Sequence, residues 1–259
     1  MQDTAADARL WEIDALRTTA MVLMVVYHVG YDVHMLAPQV ALDPFEGGWR
    51  ALQITTGSLF LGVVGVSFWI AHSRAVSRGI AGLGLWRAHA ARAVEVLAAA
   101  ALVSFATLVA LGGDDAVRFG ILHLIGVLML VVLPLTVRLG VWNAVLGACV
   151  VAVGIAMDAR SDVPGALVLG FIPPEKGVDW YPLLPWAGAA FVGIALGSAL
   201  YPGGQRGPSL RLLVTAPRSR LLAGAPGRYS LPFYLVHQPV LIALTAMTLA
   251  LVGTEIDPS

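Results

Sequence analysis

The segment "MVVYHVGYDVHML", Met24 to Leu36, places three ionisable side chains inside the first long apolar run of the chain. They are His28, Asp32 and His34. A titratable group in hydrocarbon is energetically expensive, so such a residue within a membrane segment is a candidate for function. The segment therefore raises two linked questions: whether the run crosses a membrane, and what its polar groups do there.

The composition is that of a membrane protein. The chain has 259 residues, of which 58% are apolar and only 12% charged, and its mean hydropathy is +0.80. A soluble domain has about 25% charged residues. The formal net charge is zero, which gives no indication of nucleic-acid binding. The single cysteine, Cys149, excludes a disulfide within the chain.

Seven apolar runs are long enough to cross a bilayer as helices. They predict an all-α fold, a polytopic membrane helical bundle of about seven transmembrane helices that forms one domain over residues 1–259. A signal peptide is a poor interpretation of the first run, because His28 and Asp32 lie near its centre. The predicted spans are about 15–36, 52–72, 90–111, 119–138, 141–157, 182–201 and 230–253.

The connections between these spans differ in charge. Most of the 16 Lys and Arg residues fall in alternate connections. The positive-inside rule then predicts a cytoplasmic N-terminus and an outer C-terminus. The connection 202–229 would be cytoplasmic and the connection 158–181 would be outside. Tyr181 and Trp186, at the end of that outer connection, suit an interfacial aromatic belt.

His28 and Asp32 are four residues apart, so they lie on one face of a helix. A carboxylate beside an imidazole can fix its tautomer and raise its basicity, an arrangement used in general-base catalysis. His28 is 11 residues beyond Arg17, or about 16 Å along a helix, which is near mid-bilayer. We therefore expect His28 to be a base and Asp32 to orient it.

Two other predicted spans carry histidines. His123 lies in "RFGILHLIG" near the outer surface, and His237 lies in "YSLPFYLVHQPVL" nearer the inner surface, followed by Gln238 and Pro239. A single helix histidine is more often a satisfied core residue. Three histidines on three spans at staggered depths predict one polar path across the membrane.

A dense group of arginines lies in and after the connection between the second and third spans. Any one of them is explained by topology alone, and Arg92 could pair with Glu95 at i,i+3. Together the four would suit a polyphosphate ligand. They are Arg74, Arg78, Arg87 and Arg92.

Four motifs resemble the bacterial membrane proteins related to heparan-alpha-glucosaminide N-acetyltransferase, a family of transmembrane acyltransferases. They are "RLWEIDALRTTAMVLMVVYH" (9–28), "LHLIGVLML" (122–130), "DWYPLLPWAGAAFVGIALG" (179–197) and "GRYSLPFYLVHQPVLIAL" (227–244). Two positions depart from the pattern. The usual "LRG" reads "LRT" at Arg17 and Thr18, and the lysosomal branch has an asparagine where His28 stands.

The resemblance implies transfer of an acetyl group from cytoplasmic acetyl-CoA to an extracytoplasmic glycan or amino sugar. It also implies a location in the bacterial inner membrane. Acetyl-CoA would be a co-substrate, and neither metal nor haem is expected. His28, Asp32 and His123 would be catalytic, and Tyr181 and Trp186 would lie on the acceptor side. The donor site would use Arg17, Arg74, Arg87, Arg92, His237 and Gln238.

Three other classes stay open at this point. A proton-coupled transporter also uses His and Asp relays within the membrane. A membrane cytochrome could ligate haem with the histidines, and a non-enzymatic envelope-assembly subunit needs no catalysis. The acceptor, N- or O-acetylation, a covalent acetyl-histidine and homo-oligomerisation are not given by the sequence.

Overall fold

A computed structural model describes residues 10–157, 159–161, 165–172, 177–213 and 224–254. Within these residues the fold is all-α, as predicted, and contains no β-strand beyond two isolated bridges. The α-helices, in chain order, are α1 (Trp11–Leu36), α2 (Gly47–Ser77), α3 (Gly82–Leu111), α4 (Ile121–Val127), α5 (Leu133–Thr136), α6 (Asn143–Ala156), α7 (Ala166–Leu169), α8 (Leu183–Leu200) and α9 (Ser230–Leu251).

Six helical stretches among the described residues are long and apolar enough to cross a membrane. They are Trp11–Leu36, Gly47–Ser77, Gly82–Leu111, Ile121–Ala156, Leu183–Leu200 and Pro226–Leu251. Their outward faces carry large apolar side chains such as Leu135, Val109 and Ile155, each more than 70% exposed. Helices that are apolar on all sides belong in lipid, so the chain is a multi-pass membrane protein.

The stretch Ile121–Ala156 contains the fourth and fifth predicted spans. As one straight helix its 36 residues would extend about 54 Å, well beyond a hydrocarbon core of about 30 Å. The helical path breaks at Gly140, whose φ is 52° and ψ is −124°. The buried amide of Asn143 donates to the carbonyls of Thr136 and Gly140 and so stabilises the break. The break lies between the fourth and fifth predicted spans, so we expect this stretch to cross the membrane twice, which would give seven spans among the described residues.

The described chain forms two compact units. The terminal unit contains α1, α2 up to Phe60, and α9. The central unit contains α2 from Leu61 and the helices α3 to α8.

Glycines bring the helices of the central unit close together. A Cβ built on Gly65 would collide with the Ala190 carbonyl, and one on Gly193 would collide with the Gly62 carbonyl. Between α6 and α8, a Cβ on Gly147 would lie 2.8 Å from the Gly188 oxygen. Lipid tails are as apolar as leucine, so helices in a bilayer associate through such close backbone packing. We call these five glycines and Ala190 the glycine seam.

In the terminal unit, α1 packs against α9 and against the start of α2. A Cβ on Gly30 would lie 2.6 Å from the indole of Trp49. At the C-terminal end of α1 the His34 Nδ1–H donates to the Leu42 carbonyl at 2.8 Å, and the His34 ring meets Phe45 edge-on. These contacts hold the 37–46 connection against α1.

Candidate functional site

The central feature of the terminal unit is a group of four polar side chains that face one another from α1 and α9. His28 and His237 meet with ring centroids 5.0 Å apart in a T-shaped arrangement. Four residues further along α1, the Asp32 carboxylate accepts a hydrogen bond of 2.6 Å from Nε2 of Gln238. We call His28, Asp32, His237 and Gln238 the polar cluster. The sequence places His28 beside Asp32 on α1 and His237 beside Gln238 on α9, but only the fold shows that the two pairs meet.

The hydrogen bond to Asp32 differs from the one that the i,i+4 spacing suggests. Its donor is Gln238, and among the described residues His28 makes no hydrogen bond to Asp32. The carboxylate is only 1% exposed. Gln238 therefore fixes one oxygen of a buried carboxylate, and the other oxygen has no hydrogen-bond partner among the described residues.

Each member of the polar cluster presents a buried polar atom that has no hydrogen-bond partner among the described residues. Buried polar groups in proteins are almost always hydrogen-bonded, so each exception needs an explanation. Four such atoms in one small group suit a polar guest. They are His28 Nδ1, Asp32 Oδ2, His237 Nε2 and Gln238 Oε1. Thr56 Oγ1, on α2 of the same unit, is also buried without a partner.

His237 is held by its own helix. The side chain reaches back one turn, as helix geometry favours, and its Nδ1–H donates to the Tyr234 carbonyl at 2.6 Å. The rings of Phe233 and Tyr234 flank the imidazole at centroid distances of 6.1 and 5.2 Å. The ring is 7% exposed, so contacts on several sides fix its position.

His123, in the central unit, is bound at both ring nitrogens. The Gly120 N–H donates to its Nδ1 at 3.3 Å, so Nε2 carries the proton and faces Ser104 Oγ at 3.4 Å. The Ser104 hydroxyl in turn donates to the Val117 carbonyl. This ring links the first turn of α4 to α3, which is a structural use of the imidazole.

The predicted acceptor-side aromatics lie beside the start of α4. Tyr181 and Trp186 pack with ring centroids 4.5 Å apart, and the Tyr181 N–H donates to the Phe119 carbonyl. Two residues before Tyr181, Asp179 Oδ2 accepts from the Ile121 N–H at 3.2 Å and so satisfies a free amide at the start of α4. The sequence does not predict this role of Asp179, because the contact joins residues 58 positions apart in the chain.

The predicted donor-site arginines of the central unit differ in their partners. Arg74 donates from Nε to the Gly204 carbonyl at 2.9 Å, and Arg92 pairs with Glu95 at 2.5 Å on the exposed side of α3. Arg87 is exposed, and within the described part of the chain it makes no hydrogen bond or ion pair. Of these three arginines, Arg87 is the one free to bind an anion without losing a contact.

Arg17, also predicted at the donor site, is engaged in the terminal unit. Its guanidinium binds Asp14 at 2.9 Å, and Arg228 approaches the second oxygen of that carboxylate at 3.9 Å. The Gly227 N–H donates to Thr18 Oγ1 at 3.0 Å, while the Thr18 hydroxyl donates to the Asp14 carbonyl. The "LRT" variation thus supplies a hydroxyl that fastens the segment before α9 to the start of α1.

A second histidine pair lies in the central unit and was not predicted. His72 Nδ1 and His89 Nε2 share a hydrogen bond of 3.3 Å, and Phe68 lies 4.3 Å from the His89 ring. The two ring nitrogens satisfy each other, so the pair needs no ligand. No group of three or more His, Cys, Asp or Glu residues in the described part of the chain could hold a metal ion.

One comparison with known proteins gives a match. The profile of a family described as "Heparan-alpha-glucosaminide N-acetyltransferase, catalytic" matches residues 9–239. No curated protein and no solved structure matches the chain. The match covers residues of both compact units and includes all four members of the polar cluster.

Proposed function

Because the chain belongs to the family of heparan-alpha-glucosaminide N-acetyltransferase catalytic domains, we propose that it transfers an acetyl group from cytoplasmic acetyl-CoA to an amine or hydroxyl on the outer side of the membrane. The observation that carries the proposal is the polar cluster. Its side chains are buried on membrane helices and present unpaired atoms, which is expensive unless they bind a polar guest.

The reaction requires the cluster to accept one proton and to return it. The acceptor nitrogen or oxygen attacks the thioester carbonyl, loses a proton to an imidazole, and displaces the CoA thiolate. The thiolate then takes up that proton and leaves as free thiol. His28 and His237 are the imidazoles of the cluster, and the Asp32 carboxylate favours the positive charge that forms when one of them is protonated.

The donor would bind through the 3′-phosphate and diphosphate of CoA. Guanidinium groups suit phosphate because they offer several N–H donors in a plane. Arg87 is the first candidate, since it has no internal partner in the described structure, and Arg92 is the second.

The outer connection with Tyr181 and Trp186 would line the acceptor side. The protein would lie in a bacterial inner membrane with its N-terminus in the cytoplasm.

The test is acetyl-CoA-dependent turnover by purified protein in lipid nanodiscs. We expect free CoA thiol to form only when an acceptor is present, with glucosamine and glucose as the amine and hydroxyl probes. A variant carrying both His28→Gln and His237→Gln removes every imidazole of the cluster and should lose turnover. His34→Gln removes an imidazole outside the cluster and should keep it.

Two outcomes would contradict the proposal. Turnover in the double variant comparable with wild type would exclude the polar cluster as the site. An absence of thiol release from wild type with every amine and hydroxyl acceptor, combined with acceptor-independent proton movement across vesicles, would instead favour a proton-coupled transporter. The same buried carboxylate and imidazoles would suit such a relay.

A further inference from the structure

The hydrogen bond at one nitrogen of a histidine decides what the other nitrogen can do. At His237, Nδ1 lies 2.6 Å from the Tyr234 carbonyl, which can only accept a hydrogen bond. Nδ1 therefore carries the proton. In the neutral ring Nε2 then has a lone pair, and this atom is buried without a partner among the described residues.

His28 has no comparable hydrogen bond at either ring nitrogen among the described residues. Its Nδ1 is buried and unpartnered, and the adjacent carboxylate takes its hydrogen bond from Gln238. No hydrogen bond in the described structure fixes its tautomer. His123 differs again, because both of its nitrogens are occupied at the start of α4. Among the three predicted membrane histidines, only His237 has one nitrogen fixed by an acceptor and the other free.

We propose that Nε2 of His237 is the general base of the acetyl transfer, held in its proton-accepting tautomer by the Tyr234 carbonyl. This inference rests on the proposed function. A base that is itself oriented by a third group is the arrangement that activates nucleophiles in many enzymes. The sequence predicts the base role for His28 and places His237 at the donor arm, and the present proposal moves the base role to His237.

The step balances without any further reactant. The acceptor's lone pair forms a bond to the thioester carbon while its proton moves to His237 Nε2, giving an imidazolium whose Nδ1–H still binds the Tyr234 carbonyl. The carbon–sulfur bond breaks, and the imidazolium returns its proton to the thiolate. The products are the acetylated acceptor and free CoA, and the ring regains its starting tautomer.

His28 and Gln238 then have positioning roles. The His28 ring lies edge-to-face against His237 and limits how that ring can turn. Gln238, the next residue on α9, binds one oxygen of Asp32 and so limits how that carboxylate can turn. Neither side chain must accept a proton for the step to proceed.

The first experiment reads the tautomer directly and does not depend on activity. The protein has six histidines, and ¹⁵N-histidine labelling in nanodiscs gives a signal for each ring nitrogen. The signals lost in His237→Gln identify that residue. We expect a protonated Nδ1 and an unprotonated Nε2. A proton on Nε2 of neutral His237 would overturn the proposal.

The second experiment is kinetic. General-base catalysis is worth about 10²- to 10⁴-fold in rate, so His237→Gln should lower kcat by about that factor and leave the KM for acetyl-CoA near the wild-type value. Free imidazole added to the His237→Ala variant should restore part of the kcat that this variant loses. His28→Gln should keep a larger share of kcat. His34→Gln, which loses a similar Nδ1–carbonyl hydrogen bond outside the cluster, should behave like wild type.

The outcomes separate the two proposals. If wild type turns over while His237→Gln keeps more than about a tenth of its kcat, the base assignment is wrong and the acetyl-transfer function stands. If wild type releases no thiol with any acceptor, the proposed function fails, and the base role fails with it. A large kcat loss without imidazole rescue, accompanied by poor folding of both His237 variants, would indicate a structural ring and would also overturn the base assignment.

Discussion

At the scale of single residues, the hydrogen-bond partners of each ring nitrogen decide what a histidine can do. His123 binds at both nitrogens, His237 at one, and His28 at neither among the described residues. The sequence places all three within apolar spans and cannot separate them. The distinction comes from backbone carbonyls and amides whose positions depend on helix geometry.

The Asp32–Gln238 contact gives a prediction about stability. Gln238→Leu removes the donor and leaves a buried carboxylate oxygen unsatisfied, which costs about 1–3 kcal/mol and more for a charged group. Replacing both partners, as in Asp32→Leu with Gln238→Leu, leaves no such orphan. We expect the double variant to be more stable than the sum of the two single effects implies, by about 0.5–3 kcal/mol. Chemical unfolding in detergent measures this coupling, and simple additivity would contradict it.

Arg87 and Arg92 give a prediction about donor binding. Arg87→Ala should weaken CoA binding by about tenfold or more, because a charge-assisted phosphate contact is worth about 1.5–3 kcal/mol. Arg92→Ala should have a smaller effect, since Glu95 already offsets that charge. Glu95→Gln is the matched control and should tighten binding. Calorimetry with CoA reports all three, and equal binding by Arg87→Ala and wild type would place the phosphate site elsewhere.

At the scale of elements, the start of α1 and the turn before α9 form one joint. The Asp14 carboxylate, 2% exposed, binds Arg17, and the Thr18 hydroxyl accepts from the Gly227 amide. A Cβ on Gly227 would collide with the Asp14 carbonyl. This joint sets the position of α9 on α1 and thereby the meeting of His237 with His28.

The joint can be tested with two neighbouring threonines. Thr18→Val removes the hydroxyl that serves Gly227 and should destabilise the protein by about 1–3 kcal/mol. The Thr19 hydroxyl is exposed and donates only to the Ala15 carbonyl, so Thr19→Val should change stability by less than about 0.5 kcal/mol. Thermal unfolding in the same detergent compares them. Equal melting temperatures would show that the Thr18 contact does not hold the joint.

At the scale of the whole molecule, much of the fold could be predicted because helices that face lipid are long apolar runs in the sequence. Long apolar runs gave the helices, although Gly47–Ser77 extends beyond the predicted 52–72 at both ends. The predicted span ends where polar residues begin, but the helix continues into the membrane–water interface. The predicted boundary between the fourth and fifth spans, at about residues 138–141, contains the break at Gly140.

The candidate site could be predicted only in part, for a physical reason. Spacing within one helix shows which residues share a face, so the i,i+4 relation of His28 and Asp32 was available. Contacts between helices depend on packing and register. The pairing of Asp32 with Gln238, the use of His123 at a helix start and the anchoring by Asp179 therefore needed the structure.

Transmembrane topology gives the last prediction. If the stretch Ile121–Ala156 is two spans, Leu139 lies in a cytoplasmic connection together with Arg78, and Asp114 lies outside. Single cysteines at these positions in a Cys149→Ala background can be treated with an impermeant thiol reagent. We expect labelling at 114 in intact cells, and at 78 and 139 only in inverted vesicles. Protection of 139 from both sides would mean that the break is buried within the membrane.

The glycine seam makes the gene unusually vulnerable at a few codons. Every single-base change in the first or second position of a glycine codon introduces a side chain or a stop. At positions such as 65 and 193 the added carbon would meet a backbone oxygen that cannot move aside. Random mutagenesis should therefore find almost no tolerated missense change at these codons, while the lipid-facing leucine and valine codons nearby accept many. Loss-of-function alleles would then accumulate at residues that are not members of the polar cluster.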